Sequence, residues 1–369
     1  MVNYNVRFFL EQCILSVREA IASLDAEIIV IDNNSTDESY AILKNRFSEV
    51  IFVKNKKNVG FAKANNQGAS VAKGEYLCIL NPDTVVKADT FINSIAKAEN
   101  LPNVGLVGPR LIDGKGNFLP ESKRNIPSPL TSFRRLFKVK LGIVKSYYAD
   151  HIPETGIGDV DILVGAFFIV KKEVYQSVGG FDEDYFMYGE DIDLSYKIKK
   201  YGLQNYYLGG LVAVHYKGES MDRNATYIRL FYGAMRLFYK KHFKSNMILD
   251  FMVSMAIRMV SIIQSLRNYN KTKRRIDQYY LISEDKVLFE NISSILDKKV
   301  EICSAIKQED LGDQNIEIIF DNNYCTFGEI INQMQLLKGN TVTFKIRPKN
   351  CNYILGSDFN DGKGEVLMF

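Results

Sequence analysis

"AEIIVIDNNSTDESYAILKNRFSEVIFVKN", residues 26–55, decides the fold. Its first seven residues are a short apolar run that reads as a buried strand, and 39–47 carry apolar residues at helical spacing. "VIFVKN" at 50–55 is strand again. Working outward, "FFLEQCILSVREAI" (8–21) and "GFAKANNQGASVA" (60–72) read as helices, and "EYLCILN" (75–81) as another strand. This alternation predicts an α/β fold with a mainly parallel sheet and helices on both faces. Ligands of such sheets collect at the carboxyl ends of strands. Three of those ends carry polar clusters: "DNNSTD" (32–37), "NKKNVG" (55–60) and "NPDT" (81–84).

At 369 residues the chain exceeds the usual size of one core, which predicts two domains. Hydrophobic residues make up 46% and charged residues 24%, the balance of an ordinary folded protein. A net charge of +4 gives no argument for nucleic acid. The five cysteines form no CxxC pair, so a reduced, cytoplasmic setting is the simplest expectation. The start is polar within three residues, with no visible signal peptide.

The alternating pattern fails from Leu119 to Ile157, where prolines, basic residues and two tyrosines crowd together. A long excursion of this kind is expected to be functional or mobile. Order returns with the strand "DILVGAFFIV" (161–170), an acidic helix at 191–201 and a strand "LVAVHY" (211–216). "MILDFMVSMAIRMVSIIQSL" (247–266) is apolar but interrupted by Asp250 and Arg258, too short in its uncharged run to span a bilayer. With the basic residues that follow, 247–275 reads either as a peripheral helix in a lipid interface or as a buried helix between domains. The expected division is 1–245, a linker at 246–277, and a small Rossmann-like α/β domain at 278–369. The turn "ISEDKVL" (282–288) lacks the glycines a dinucleotide would need.

The chemistry concentrates in "YFMYGEDIDLSYKIKKYG" (185–202), where Glu190, Asp191 and Asp193 fall within four residues. Acids in a first turn and lysines in a last turn suit the helix dipole, and Gly202 is a good stop, so helix-end chemistry accounts for part of this. It leaves the preceding aromatic run unexplained. Asp83, directly after a buried strand, suits a hard divalent cation bound to phosphate oxygens, although Asn-Pro-Asp is also ordinary turn chemistry. Asp37 reads as a helix cap, Asp193 as a first-turn acid, and His215 as either a ligand or a strand-end histidine.

Taken together, "VNYN" (2–5), "VIDNNSTDES" (30–39), "NVGFAKANNQG" (58–68), "GEYLCILNPDT" (74–84), "LVGAFFIVKKEVYQSVGGFDEDYFMYGEDIDL" (163–194) and "HYKGES" (215–220) resemble glycosyltransferase family 2. The resemblance covers about residues 2–245 and is greatest to rhamnosyltransferase-type enzymes of bacterial surface-polysaccharide assembly. It implies a GT-A-type nucleotide-sugar-binding fold. It also implies inverting transfer from a nucleoside-diphosphate sugar donor to a lipid-linked or glycan acceptor, at the inner face of the cytoplasmic membrane, with Mg²⁺ or Mn²⁺ as cofactor. By position, Asp191 would be the catalytic base, with Glu190 beside it. Asp83 and His215 would hold the metal, and Tyr4, Asp32, Asn33, Asn65, Asn81, Asp83 and Gly165 would surround the nucleotide sugar. The family's Asp-x-Asp is Asn81-Pro82-Asp83 here, which leaves one carboxylate and makes the metal more dependent on the diphosphate.

Only Met1 and Val2 precede the "NYN" turn, so the expectation is either a true start upstream or a shortened first strand, the latter short of ladder hydrogen bonds on both sides. That departure keeps a rival reading open, a non-catalytic nucleotide-sugar-binding or scaffold protein of the same fold. A sugar nucleotidyltransferase would need a glycine-rich phosphate loop near the start, and none is visible. The C-terminal region resembles the Rossmann-like appendage of some relatives, with a regulatory or docking role implied.

Overall fold

The chain begins with β1 (Val2–Asn3), α1 (Arg7–Ala20), β2 (Ile29–Asp32), α2 (Ser39–Arg46), β3 (Ile51–Lys54), α3 (Phe61–Val71) and β4 (Tyr76–Leu80). Then come β5 (Thr84–Val85), α4 (Thr90–Glu99), β6 (Val104–Ile112), β7 (Ile157–Val160), β8 (Phe167–Lys171), α5 (Lys172–Ser177), α6 (Glu190–Lys200), β9 (Gln204–His215) and α7 (Ala225–His242). The C-terminal part holds β10 (Gln278–Ile282), α8 (Lys286–Ile295), β11 (Val300–Cys303), β12 (Ile316–Asp321), α9 (Phe327–Leu337), β13 (Val342–Arg347), β14 (Tyr353–Gly356) and β15 (Glu365–Met368). This computed structural model describes residues 1–126, 146–218, 225–243, 275–296, 298–358 and 363–369. The apolar segment 247–266, the basic tract 134–140 and most of the expected linker lie outside them.

Three sheets result. β1, β2 and β3 form a parallel three-stranded sheet. The middle sheet runs β4-β8-β6-β9-β5 with β7 on β9, and only its β6–β9 pair is parallel. The C-terminal sheet runs β11-β10-β12-β13-β14-β15, parallel through its first four strands. Parallel pairing thus holds where strands alternate with helices. The middle sheet turns mixed where the excursion interrupts that alternation.

Two strands differ from their sequence reading. The stretch 161–170 reads as one strand, yet only its end is strand, β8 on β4, while 161–166 links it to β7, which precedes the stretch and pairs with β9. The strand expected at 211–216 is the end of a twelve-residue strand, β9. Val212, Val214 and Tyr216 are buried on one side, and the longer run docks β6, β7 and β5 together.

The short first strand has a visible consequence. The Met1 amine donates to Ile29 O at 2.9 Å, and Ile31 N–H donates to Met1 O at 2.9 Å, so β1 holds β2. It has no strand partner on its other side, and β4 likewise ends its sheet. Between them lies a cavity of about 380 Å³ lined by Met1, Ile29, Ile31 and Tyr76 to Leu80. Burial pushes the Met1 amine below its ordinary pKa.

α1 buries Leu10, Cys13, Ile14 and Val17 at helical spacing against the core shared with β2 and β4. A second core joins the two halves of the molecule: Phe9, Val85, Ile112, Val212, Val214 and Tyr216 pack with Phe327, Ile331, Met334 and Leu355. Polar contacts edge this joint, with Tyr353 Oη donating to Glu11 Oε2 at 2.6 Å and Arg110 to Gln335 at 2.6 Å. The C-terminal sheet is thus packed directly behind β5 and the end of β9. Among the described residues, no helix is long and apolar enough to cross a membrane.

Candidate active site

The site starts at the end of β4. Pro82 stops the strand, Asn81 N–H donates to Ala166 O at 2.8 Å, and Thr84 Oγ1 donates to Asn81 O at 2.8 Å. This turn leads into β5, where Thr84 faces His215 across an antiparallel pair. Asp83 Oδ1 lies 3.5 Å from His215 Nε2, and the Asn81 amide nitrogen lies 3.4 Å from that same nitrogen. Asp83 and His215 are buried and Asn81 is half-buried, yet the buried atoms Asn81 Oδ1 and His215 Nδ1 have no hydrogen-bond partner. Orphaned polar atoms at a strand end mark a place prepared for something else. A flip of the Asn81 amide would turn its oxygen toward His215 and Asp83.

An imidazole, a carboxylate and an amide fit Mg²⁺ or Mn²⁺, which take oxygen and nitrogen donors and accept substrate phosphate for the rest. Among the described residues, no group of three His, Cys, Asp or Glu is gathered for a metal, so Asp83 and His215 would supply only part of a ligand shell. Lys217, two residues on, pairs with Glu121 beside this shell. Burial raises the Glu121 carboxyl, but Lys217 outweighs it and holds the group below the usual range.

The acidic helix begins through two left-handed residues, Tyr188 (φ 71°) and Gly189 (φ 81°). A tyrosine there is uncommon, and the paired turn swings the aromatic run away from the helix axis. Asp191 is the most tightly held carboxylate of the site. Its Oδ2 accepts from Arg124 at 2.6 Å and from Gly165 N–H at 3.0 Å, and its Oδ1 accepts from Ile192 N–H at 2.8 Å. Burial opposes the charge of Arg124, but Asp191 and Tyr147 more than offset it and raise its pKa. Burial, and then the charge of Asp191, pushes the neighbouring Glu190 carboxyl up to about 8. Its Oε2 is buried with no partner.

Gly165 and Ala166 join the two clusters: one amide of this dipeptide meets Asp191 and one carbonyl meets Asn81. A Cβ at Gly165 would stand 3.1 Å from Asp191 Cβ, so the missing side chain lets the acidic helix approach.

The nucleotide-side residues fall into two groups. Tyr4 keeps 36% of its surface exposed and is available to a ligand. Asp32 and Asn33 are spent on the fold. Asp32 accepts from Asn3 at 2.8 Å and from Ser35 N–H at 3.1 Å. Asn33 donates to Asn58 Oδ1 and Gly60 O, both at 3.1 Å, while its carbonyl accepts from Asn55 at 2.9 Å and Val59 N–H at 3.3 Å. These are all the bonds an amide can make. Gly60 (φ 89°) lies so close to the acidic loop that a Cβ would sit 2.6 Å from Phe186 O. Phe61 N–H donates to that oxygen at 2.8 Å. Asn65 stands apart: it donates to Phe61 O within its own helix and lines the cavity between the sheets.

Asp193 and Asp37 serve the fold. Asp193 is fully buried, 2.6 Å from His242 Nε2 on α7 and 3.2 Å from Lys197 Nζ. Asp37 accepts from Arg7 N–H at 2.9 Å and Ser39 N–H at 3.2 Å, capping α1 and α2 at once. Sequence reading passed over Arg124, Lys217 and Glu121 as single residues. Arg124 stood inside a basic, proline-rich stretch whose pattern gave no register, and Glu121 meets Lys217 96 residues away.

A family model for Glycosyl transferase family 2 matches residues 1–178. The N-acetylglucosaminyl-diphospho-decaprenol L-rhamnosyltransferase of Mycobacterium tuberculosis is 26% identical over 214 residues, covering 53% of this chain and 68% of that one. Rhamnosyltransferase WbbL of Escherichia coli is 29% identical over 168 residues, covering 42% of this chain and 61% of that one. Among solved structures, mannosyltransferase PcManGT from Pyrobaculum calidifontis, in complex with GDP-Man and Mn²⁺, aligns over 72% of this chain and 74% of its own, at 17% identity and a TM-score of 0.47. The match to glycosyl transferase family 2 thus covers residues 1–178, just under half of the chain.

Proposed function

We propose that the protein transfers a sugar, with inversion, from a nucleoside-diphosphate sugar to an acceptor hydroxyl, aided by Mg²⁺ or Mn²⁺. One observation carries this: the orphaned Asn81–Asp83–His215 corner and the acidic helix meet across Gly165–Ala166. Asp83 and His215 would hold the ion, which when bound neutralises charge on the departing diphosphate. Asp191, paired with Arg124, takes the acceptor proton. Glu190, with a carboxyl near 8, stays protonated at neutral pH and donates a hydrogen bond. The face of Phe186, 45% exposed, and the ring of Tyr4 offer flat surfaces to sugar and base.

The names of the rhamnosyltransferase relatives favour a rhamnosyl donor and a lipid-linked acceptor in cell-surface polysaccharide synthesis. The segment 247–275 would then supply peripheral contact with the inner membrane face. Calorimetry with UDP and dTDP, with and without Mn²⁺, tests the binding site. Nucleotide release from a panel of donors, dTDP-rhamnose among them, tests transfer. Absence of metal-dependent nucleotide binding ends this reading.

A second reading, a non-catalytic nucleotide-sugar binder, is favoured by the single carboxylate of Asn81-Pro82-Asp83. It expects nucleotide binding with no turnover of any donor, and no change in that result on substituting Asp191.

A further inference from the structure

Arg124 brings a full charge to the inner wall of the site from a stretch with no regular secondary structure. Its backbone exchanges two hydrogen bonds with Ile162, each 3.0 Å. Its guanidinium donates to Leu163 O at 3.1 Å, to Tyr147 Oη at 3.3 Å and to Asp191 Oδ2 at 2.6 Å. The side chain is 8% exposed and that of Asp191 is 12% exposed, so the pair is shielded from solvent. The two flanks of the excursion close on this arginine, since Asn125 N–H donates to Tyr147 O and Ala149 N–H to Lys123 O.

We propose that Arg124 is a positioning residue for transfer: it fixes Asp191 through Oδ2, leaving Oδ1 as the oxygen that receives the acceptor proton. This rests on the reading of Asp191 as base. Oδ2 is closed by a cation and the Gly165 amide, whereas Oδ1 accepts one bond, from Ile192 N–H. A carboxylate held by one edge cannot rotate away from its substrate, which is the value of a fixed orientation. The arrangement also gives the excursion a role, because its residues 120–126 and 146–152 set where the guanidinium stands.

Groups facing the Glu190–Asp191 pair are Arg124, Tyr147 through it, Tyr185 from the aromatic run, and Asp193 with its partners Lys197 and His242. Among them Arg124 is the cation in contact with the pair, and it opposes the upward push on Glu190. Carboxyl-carbon NMR titration of the apo protein therefore expects Arg124→Met to move the Glu190 titration to higher pH. Arg124→Lys should move it less.

In nucleotide release from dTDP-rhamnose, Arg124→Met should lower kcat about 100-fold, within the range for loss of a placed base. Binding of dTDP with Mn²⁺ should change by less than about threefold, and Arg124→Lys should recover part of kcat. Because Arg124 acts through Asp191, Arg124→Met in an Asp191→Asn background should cost nothing further. Wild-type kcat in Arg124→Met beside an inactive Asp191→Asn overturns the role of Arg124 alone. A double variant about tenfold or more below Asp191→Asn also overturns it. Wild-type kcat in Asp191→Asn overturns the base assignment underneath. If Arg124→Met does not fold, Arg124→Lys decides, and an unchanged kcat and titration there sink the proposal.

Discussion

Two sheets of the molecule carry polar groups at the carboxyl ends of their strands, and they are finished differently. At the end of β12, Asp321 accepts from Ser283 Oγ at 2.9 Å and pairs with Arg347 at 3.0 Å, while Asn322 donates to Cys325 O at 2.9 Å. Each polar group has found a partner within its own domain. At the ends of β4 and β9, Asn81 Oδ1 and His215 Nδ1 are buried without one, and Glu190 Oε2 is alike. Burying an unpaired polar atom costs stability, typically about 1–3 kcal/mol. Three such atoms fall on the residues flanking Gly165–Ala166, which points to partners that arrive with a ligand. We read the closed end as architecture and the open end as the proposed site.

That contrast can be broken by experiment. The largest effect belongs to the open end: Asp191→Asn should lower transfer by roughly 10²–10⁴-fold and leave dTDP or UDP affinity intact. Loss of nucleotide binding in that variant would show that Asp191 shapes the donor pocket instead. At the closed end the damage should be to stability. Asp321→Ala strands Arg347 as a buried charge and should cost about 3–5 kcal/mol in chemical denaturation, with turnover per folded molecule unchanged.

Asp83→Asn sharpens the contrast further, because it removes charge from a place where charge has no structural partner except His215. The Mn²⁺-dependent gain in UDP affinity should fall by at least about tenfold, the lower bound seen when even an outer partner of a metal is lost. Melting temperature should hardly change. Calorimetry and a thermal scan on the same sample separate these outcomes.

Glu190 offers a test by pH. Its carboxyl titrates near 4.5 when free of the fold and near 8 within it, so the folded state retains a proton that the unfolded chain releases. Stability from this group is therefore complete below about 4.5 and declines as pH rises toward about 8. Glu190→Gln removes that decline. Its melting temperature should exceed the wild type's by several degrees near pH 7 and match it near pH 4. A constant offset at both pH values would contradict the buried, protonated acid. The smallest effect is expected where the two halves join: Tyr353→Phe loses the bond to Glu11 and should cost about 1 kcal/mol in thermal unfolding.

Much of this was legible beforehand in particular residues. The strand and helix bounds from 26 to 80 agree to within a few positions, because each of those elements carries its own apolar period and its own stop signal. Asp37 as a cap followed from local turn chemistry. The reading of Asn33 and Asp32 as nucleotide contacts came from motif position, which carries no information on the hydrogen bonds these side chains make within the fold. Arg124 was missed for a related reason: its partner stands 67 positions away, and no periodicity links them.

The sequence alone determined the alternation of strands and helices, the acidic start of α6, and the polar strand ends, since these depend on neighbours a few residues apart. Only the folded chain decided that Asp83 meets His215, that Gly165 yields room to Asp191, and that Arg124 holds that carboxylate. Such pairings form when distant segments pack into one core, and the burial that excludes water is what gives each of those contacts its strength.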